Sequence, residues 1–181
     1  MKHIKDIEDE KCKTHGNAAI PLMGLHHSAN RCRDAEQTRA FYEDFLGLPL
    51  SCSLRRNRTE TGVETPLIHI FFAMRDGSYL AFFELPKVEF EFEDQDPSDL
   101  HIALEVDDAT QKAMVEKGKA RGYEPYGPAE LESLRSIYFR DPNGYIVELT
   151  TKLDDHDEVM DPEKNDARGI LDRWQAEKAS F

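Results

Sequence analysis

The chain has few cysteines, little basic charge and no long apolar run, and each shortage excludes a class of protein. Its cysteines, Cys12, Cys32 and Cys52, are odd in number and lack C-x-x-C spacing, so we expect free thiols in a reducing cytoplasm. The 23 basic residues against 36 acidic ones give a net charge of −13, which would repel nucleic acid and anionic membranes. No stretch of about 18 apolar residues is present, so no transmembrane helix is expected, and the N-terminus lacks the apolar stretch of a signal peptide.

The remaining composition, 39% hydrophobic over 181 residues, suits one ordinary domain or two small fused ones. Polar and charged segments flank the central region. We interpret residues 1–21 as an N-terminal extension and residues 153–181 as a C-terminal helical extension. Within the latter, four apolar residues recur at helical spacing: Ala167, Ile170, Leu171 and Trp174. We expect this helix to pack its apolar stripe on the domain or on a partner subunit.

The central residues, 22–152, contain an internal repeat. The first unit opens with GLHHSANRCRD and the second with DLHIALEVDD. In each opening a histidine precedes an aspartate by seven residues, as His27 precedes Asp34 and His101 precedes Asp108. A glycine follows thirteen or fourteen residues after the aspartate. Each unit is therefore expected to begin with a short strand, followed by a helix with Asp at its start and Gly at its end.

Strand-like runs follow both helices. They lie at about 50–56, 67–74, 78–85, 123–126, 134–139 and 144–151. Both units thus read β-α-β-β-β. We predict an α+β fold of two tandem βαβββ units, about residues 22–86 and 99–152, whose paired mixed sheets line a cleft. The linker at 87–98 alternates apolar residues with glutamate and is a candidate edge strand.

Two histidines hold corresponding places in this repeat, and a glutamate lies in its last strand. His27 and His101 occupy equivalent positions in the first strands, and Glu148 lies in the last strand of the second unit. If the units pair by pseudo-twofold symmetry, these side chains can converge at the floor of the cleft. Such a set with open positions suits Fe(II), Mn(II), Zn(II) or Ni(II). His26 should leave its strand on the other face, because side chains alternate.

These segments resemble the vicinal-oxygen-chelate superfamily, which includes glyoxalase I, extradiol ring-cleaving dioxygenases, fosfomycin-resistance transferases and bleomycin-binding proteins. The resemblance covers about residues 22–152 and rests on HHSANRCRD, FYEDFLGLPL, HIALEVDD and IYFRDPNGYIVEL. The family's first-unit metal histidine matches His27, its second-unit equivalent matches His101, and the glutamate after Asp-Pro-x-Gly matches Glu148. The resemblance implies a glyoxalase-like fold and one divalent metal ion per chain, with Fe(II) favoured.

Four further residues are candidates around this centre. Glu84, in the last strand of the first unit, is a possible fourth ligand or a supporting group, although its register differs from that of Glu148. His69, on a first-unit strand, is a candidate proton carrier. Tyr138 and Arg135 lie in the penultimate strand, where we predict a catalytic role for the first and substrate binding for the second, with packing as the alternative.

The resemblance implies a metal that polarises two neighbouring oxygens of a small substrate. We favour an oxidoreductase of the extradiol dioxygenase type, although the histidine that those enzymes carry before the aliphatic–Tyr pair is absent from residues 127–132. A glyoxalase-like lyase or isomerase, a transferase and a non-catalytic resistance-type binding protein are the alternatives. We expect a cytoplasmic homodimer that binds a small molecule and neither nucleic acid nor membrane.

Overall fold

The computed structural model describes residues 22–181, so the extension predicted at residues 1–21 lies outside the described part. The first unit comprises β1 (His27–Arg31), α1 (Ala35–Arg39) with a π-helical continuation (Ala40–Phe45), β2 (Leu50–Arg58), β3 (Glu64–Ala73) and β4 (Tyr79–Glu84). The second comprises β5 (His101–Glu105), α2 (Asp108–Arg121), β6 (Tyr126–Leu131), β7 (Leu134–Arg140) and β8 (Ile146–Lys152). The C-terminal segment holds α3 (His156–Val159), α4 (Ala167–Glu177) and a short 3₁₀ turn (Lys178–Ser180).

Each unit forms one four-stranded mixed sheet, in the order β1-β4-β3-β2 and β5-β8-β7-β6. The first strand of each sheet pairs in parallel with the last, and the other neighbours are antiparallel. This arrangement confirms the predicted α+β fold of two βαβββ units. The edge strand suggested at 87–98 is wrong, because this described segment has no strand. The phenylalanine rings of this segment instead lie against arginines. The guanidinium carbon of Arg31 is 5.0 Å from the centre of the Phe90 ring, and that of Arg33 is 4.4 Å from the centre of the Phe92 ring.

The helix caps follow the sequence closely. Asp34 accepts a hydrogen bond from the backbone N–H of Gln37 at 2.8 Å, which confirms the first cap. In the second unit the cap is Asp107, one residue earlier than predicted, and it accepts from Thr110 N at 2.7 Å. Gly122 closes α2 in the left-handed conformation, with φ of 76°.

The core lies where the helices pack against one face of each sheet. Its largest fully buried side chains are Phe41, Phe45, Phe72, Phe82 and Phe139. The buried residues of α2 are Gln111, Met114 and Gly118. Gln111 is tolerated there because its amide donates to the strand carbonyls of Arg135 and Leu149, at 2.8 and 2.9 Å.

A buried turn that contains Asp141 and Asn143 joins the two units. The Tyr42 hydroxyl donates to Asp141 Oδ2 at 3.1 Å, and Arg33 N donates to Asn143 Oδ1 at 2.8 Å. Asn143 Nδ2 also lies 3.3 Å from the hydroxyl of Thr38. Burial raises the pKa of Asp141, although its hydrogen bonds oppose this. The turn therefore fixes the helical sides of the units together, and the remaining face of each sheet, here called its outer face, points away from the helices.

The C-terminal helix does not dock on the domain. No residue of α4 is buried, and Trp174 is 51% exposed. Of the two expected positions for its apolar stripe, packing on the same chain's domain is therefore wrong. No helix between residues 22 and 181 has the length and apolar character that spanning a bilayer requires.

Candidate metal centre

The outer face of the second sheet brings His101 and Glu148 together. Glu148 on β8 pairs with Ala103 on β5, and Ala103 is two residues after His101. The side chains of His101 and Glu148 therefore leave the sheet on the same side. His101 Nε2 is 3.1 Å from Glu148 Oε2, and Glu148 is only 5% exposed. Two of the three predicted ligands are therefore neighbours in the folded chain.

Neighbouring groups hold both side chains in place. The carbonyl oxygen of Pro97, 2.5 Å from His101 Nδ1, can only accept, so Nδ1 carries the hydrogen and Nε2 faces the carboxylate. Ser136, which is fully buried, donates its hydroxyl to the other oxygen of Glu148. A lone pair on Nε2 would repel a carboxylate oxygen at this distance, so the pair requires a proton or a metal cation between them. A histidine fixed through its second nitrogen is typical of metal ligands.

His27 lies on the outer face of the first sheet and is exposed. Its ring is 6.2 Å from that of His69 and 5.6 Å from that of Phe71, between centroids. His26 Nδ1 is 2.8 Å from His27 Nδ1, so one of these nitrogens carries a hydrogen. The expectation that His26 points to the opposite face is wrong, because β1 begins at His27 and strand alternation does not reach back to it.

A single chain does not assemble the three predicted ligands. Among residues 22–181, no group of three or more His, Cys, Asp or Glu side chains converges in a way that could hold a metal ion. His101 and Glu148 form one half of the predicted centre on the second sheet, and His27 stands on the first. The three-ligand centre therefore stays a prediction, with two of its members in contact.

Glu84 faces the helix rather than His27. Its Oε2 accepts a hydrogen bond from Ala35 N at 2.7 Å, at the start of α1. The first-unit position that corresponds to Glu148 is Ala81. Ala81 pairs with the residue two places after His27, and Glu148 pairs with the residue two places after His101. This register explains the spacing mismatch in the sequence, and it gives Glu84 a role at the helix N-terminus.

Arg135 also faces the helix, so the structure does not bring this predicted substrate-binding residue to the outer face. Its guanidinium forms an ion pair with Asp108, and its Nε donates to Gln111 Oε1 at 3.2 Å. Tyr138 does lie on the outer face, beside Glu148 in the β7–β8 register. Burial, and then the charge of Glu148, raise the pKa of Tyr138, so its phenol is neutral at ordinary pH.

His69 lies on the outer face of the first sheet and is 6% exposed. Its ring stacks on that of Phe83 at 3.6 Å, and its Nε2 is buried without a hydrogen-bond partner. Burial, reinforced by His27, lowers the pKa of His69 to about 4, so the imidazole is neutral near pH 7.

Sequence reasoning missed Ser136. The available signal was strand alternation, because Ser136 stands two residues before Tyr138 and therefore shares its face. A serine on a strand carries no chemical signature of its own, and its importance becomes visible only when Glu148 is seen beside it.

Comparisons with known proteins agree with this architecture. The model of the Glyoxalase/Bleomycin resistance protein/Dioxygenase superfamily matches residues 24–149. A glyoxalase/dioxygenase structure from Nostoc punctiforme is 22% identical with a TM-score of 0.56, and the match covers 77% of this chain and 99% of that chain. A glyoxalase family protein from Bacillus cereus is 19% identical with a TM-score of 0.62, covering 76% of this chain and 99% of that one.

A third related structure is a mutant of the fosfomycin resistance protein FosX from Listeria monocytogenes, complexed with Mn(II) and 1S,2S-dihydroxypropylphosphonic acid. It is 23% identical with a TM-score of 0.52, and the match covers 71% of this chain and 91% of that chain. These likenesses show the fold, and no curated protein matches the chain. Because the family model spans most of the described residues, the chain belongs to the Glyoxalase/Bleomycin resistance protein/Dioxygenase superfamily.

Proposed function

We propose that this chain is a divalent-metal enzyme that binds two neighbouring oxygens of a small substrate and acts as a dioxygenase-type oxidoreductase. The observation that carries the proposal is the His101–Glu148 pair, in which Nε2 and Oε2 are 3.1 Å apart. His101 is also hydrogen-bonded to the carbonyl of Pro97, and Glu148 accepts a hydrogen bond from Ser136. Supporting contacts of this kind orient metal ligands and are expected where a metal is bound.

The donor set fits a divalent metal with open coordination positions. His27, His101 and Glu148 would supply two imidazoles and one carboxylate, the combination found in non-haem Fe(II) oxygenases. Fe(II) is the favoured ion, and the FosX structure with Mn(II) supports Mn(II) as a second candidate. A metal bound there would polarise substrate oxygens and stabilise the negative charge that develops on them.

We further propose that the centre is completed in a homodimer, with His27 supplied by the partner subunit. Three features support this assembly. The two halves of the ligand set lie on different sheets, and residues 22–181 bring no third ligand to His101 and Glu148. Among the strands of residues 22–181, β1 and β5 each pair with one neighbour only, so within this part of the chain both sheets end in a free edge on the side of the histidines. A twofold dimer that joined these edges would create two equivalent centres.

The chain's other residues on the outer faces supply hydrogen bonds and proton transfer. Tyr138, a neutral phenol beside Glu148, can donate a hydrogen bond to a substrate oxygen. His69, a neutral imidazole near His27, can accept a proton from a substrate hydroxyl. The two groups stand on different sheets and would act from opposite sides of the assembled cleft.

The lyase or isomerase alternative requires a first-unit carboxylate at the centre. Ala81 occupies the corresponding position, and Glu84 is bound to the start of α1. This geometry favours the oxidoreductase over a glyoxalase-like enzyme. A non-catalytic binding protein would not need the paired and supported His101 and Glu148.

The proposal is tested by metal analysis of protein purified without oxygen, followed by two substrate screens. We expect Fe(II) to bind stoichiometrically and to support oxygen uptake with a panel of catechols. Activity on hemithioacetals with Ni(II) or Zn(II), without oxygen uptake, would assign the lyase reading instead. Protein that binds none of these metals would overturn both.

A further inference from the structure

The imidazole of His26 lies against that of His27 at the start of β1. Their Nδ1 atoms are 2.8 Å apart, and their ring centroids are 5.0 Å apart with the ring planes at 82°. A hydrogen bond between two such nitrogens contains one hydrogen, so one ring donates through Nδ1 and the other accepts. In both arrangements Nδ1 of His27 is engaged, and Nε2 is the ring nitrogen that is left to bind a metal.

Strand β4 fixes the position of His26 as well. The backbone oxygen of His26 accepts a hydrogen bond from Tyr79 N at 3.0 Å, and the His26 ring lies 5.7 Å from the Tyr79 ring between centroids. Tyr79 is itself the register partner of His27 in the β1–β4 pair. A residue that precedes the strand is therefore held beside the predicted ligand.

His101, the corresponding histidine of the second unit, makes a hydrogen bond through the same ring nitrogen. Its Nδ1 donates to the carbonyl oxygen of Pro97 at 2.5 Å, and its Nε2 faces Glu148. The partner of Nδ1 is a backbone carbonyl in the second unit and an imidazole in the first. An acceptor at Nδ1 is the usual support of a histidine that binds metal through Nε2, because it fixes the tautomer and the orientation of the ring.

We infer that His26 is a positioning residue of the metal centre, which accepts a hydrogen bond from Nδ1 of His27 and so presents the lone pair of His27 Nε2 to the metal. This role rests on the proposed function, in which His27 is a ligand. It requires His26 to carry its own hydrogen on Nε2, since its Nδ1 accepts. The pair is exposed, so water competes for the bond. The gain in metal affinity should therefore lie at the lower end of the range for such supports, about tenfold.

The first test reads the tautomer of His27 in metal-free protein. Long-range proton–nitrogen correlation spectra at alkaline pH show which ring nitrogen carries the hydrogen, and His27→Ala identifies the signals. We expect the hydrogen on Nδ1 in native protein. His26→Leu removes the acceptor, so the hydrogen should move to Nε2, the form that a histidine side chain favours in water. His26→Asn should restore the native form, because its amide oxygen can accept where Nδ1 does.

The second test measures Mn(II) affinity in the same variants. His26→Leu should weaken Mn(II) binding about tenfold, and His26→Asn should bind within about twofold of native protein. The control is His156→Leu, which removes a histidine of α3 that lies beside Asp157 and should leave the affinity unchanged. Circular dichroism verifies that each variant is folded.

Four results would overturn the inference. Two are spectroscopic: hydrogen on Nε2 of His27 in native protein, or a native spectrum in His26→Leu. The third is an unchanged Mn(II) affinity in His26→Leu. The fourth is an equal loss of affinity in His26→Leu and His26→Asn, because His26 would then be a ligand rather than an acceptor. The proposed function fails separately: native protein that has the hydrogen on Nδ1 of His27 but binds no divalent metal counts against the metal centre alone, because the tautomer is read without metal.

Discussion

A metal centre shared between two chains predicts a specific pattern in mixed dimers. His27 stands on the first sheet, while His101 and Glu148 stand together on the second. If each centre takes His27 from one protomer and the other two ligands from its partner, defects in different chains can complement each other. The perturbation is a heterodimer in which one protomer carries His27→Ala and the other carries His101→Ala, co-expressed with two different affinity tags.

The expected metal content follows from counting ligands. In a shared arrangement, one centre of this heterodimer has lost both histidines, and the other retains all three ligands. The heterodimer should therefore hold about half the metal of the native dimer. If each centre were built within one chain, both centres would lack a histidine and the heterodimer would hold almost none. Each homodimeric variant should be almost free of metal in either case.

The reciprocal heterodimer is the control. One protomer carries both His27→Ala and His101→Ala, and the other is native. A shared arrangement now damages both centres, so metal should be almost absent, whereas an arrangement within one chain leaves one centre intact and about half the metal. Metal analysis of doubly purified heterodimers, with circular dichroism to verify folding, decides the matter. Half occupancy in the control and none in the first heterodimer would refute the shared centre.

Three further predictions concern single substitutions. Ser136→Ala should weaken metal binding about tenfold, because the carboxylate of Glu148 loses the hydrogen bond that orients it. Competition with a chelator measures this affinity, and Ser53→Ala on the exposed β2 should leave it unchanged. Asn143→Ala should lower the free energy of unfolding in urea by about 2 kcal/mol, since it leaves a backbone N–H of the unit junction unpaired, and the exposed Asn57→Ala should change it by less than about 0.5 kcal/mol. Burial lowers the pKa of His69 from 6.5 to about 4, so between these pH values the folded state binds fewer protons than the unfolded state. The free energy of unfolding should therefore fall as the pH drops through this window, and His69→Phe should remove this part of its pH dependence. A slope unchanged in this variant would assign the pH dependence to other groups.

The local elements could be predicted from the sequence because their signals are local. The Asp34 cap, the glycine that ends α2 and the order of strands and helices depend on residues a few positions apart. The internal repeat then fixed which histidines are equivalent. Alternation along β8 places Glu148 on one defined face, and the resemblance identified it as the candidate ligand.

The buried face of α2 required the tertiary structure. The helix buries a polar residue and a glycine together with Met114, namely Gln111 and Gly118, because burial depends on what packs against a residue as well as on its own polarity. Gly118 illustrates this. A Cβ there would lie 2.6 Å from Phe139 and 2.7 Å from the carbonyl oxygen of Tyr123, so the glycine is required by close packing that no local pattern displays.

At the site, too, the sequence determined what depends on position along the chain, and the fold decided what depends on packing. The repeat identified His27 and His101 as equivalent, since equivalent positions in a repeat are visible along the chain, and the family resemblance added Glu148. The roles of Glu84 and Arg135 depended on which face of each sheet the helix covers, and that choice is made by packing. Whether His27 meets the other two ligands depends on how the two sheets are joined, a relation between surfaces that are distant in sequence and, on the proposal made here, belong to different chains.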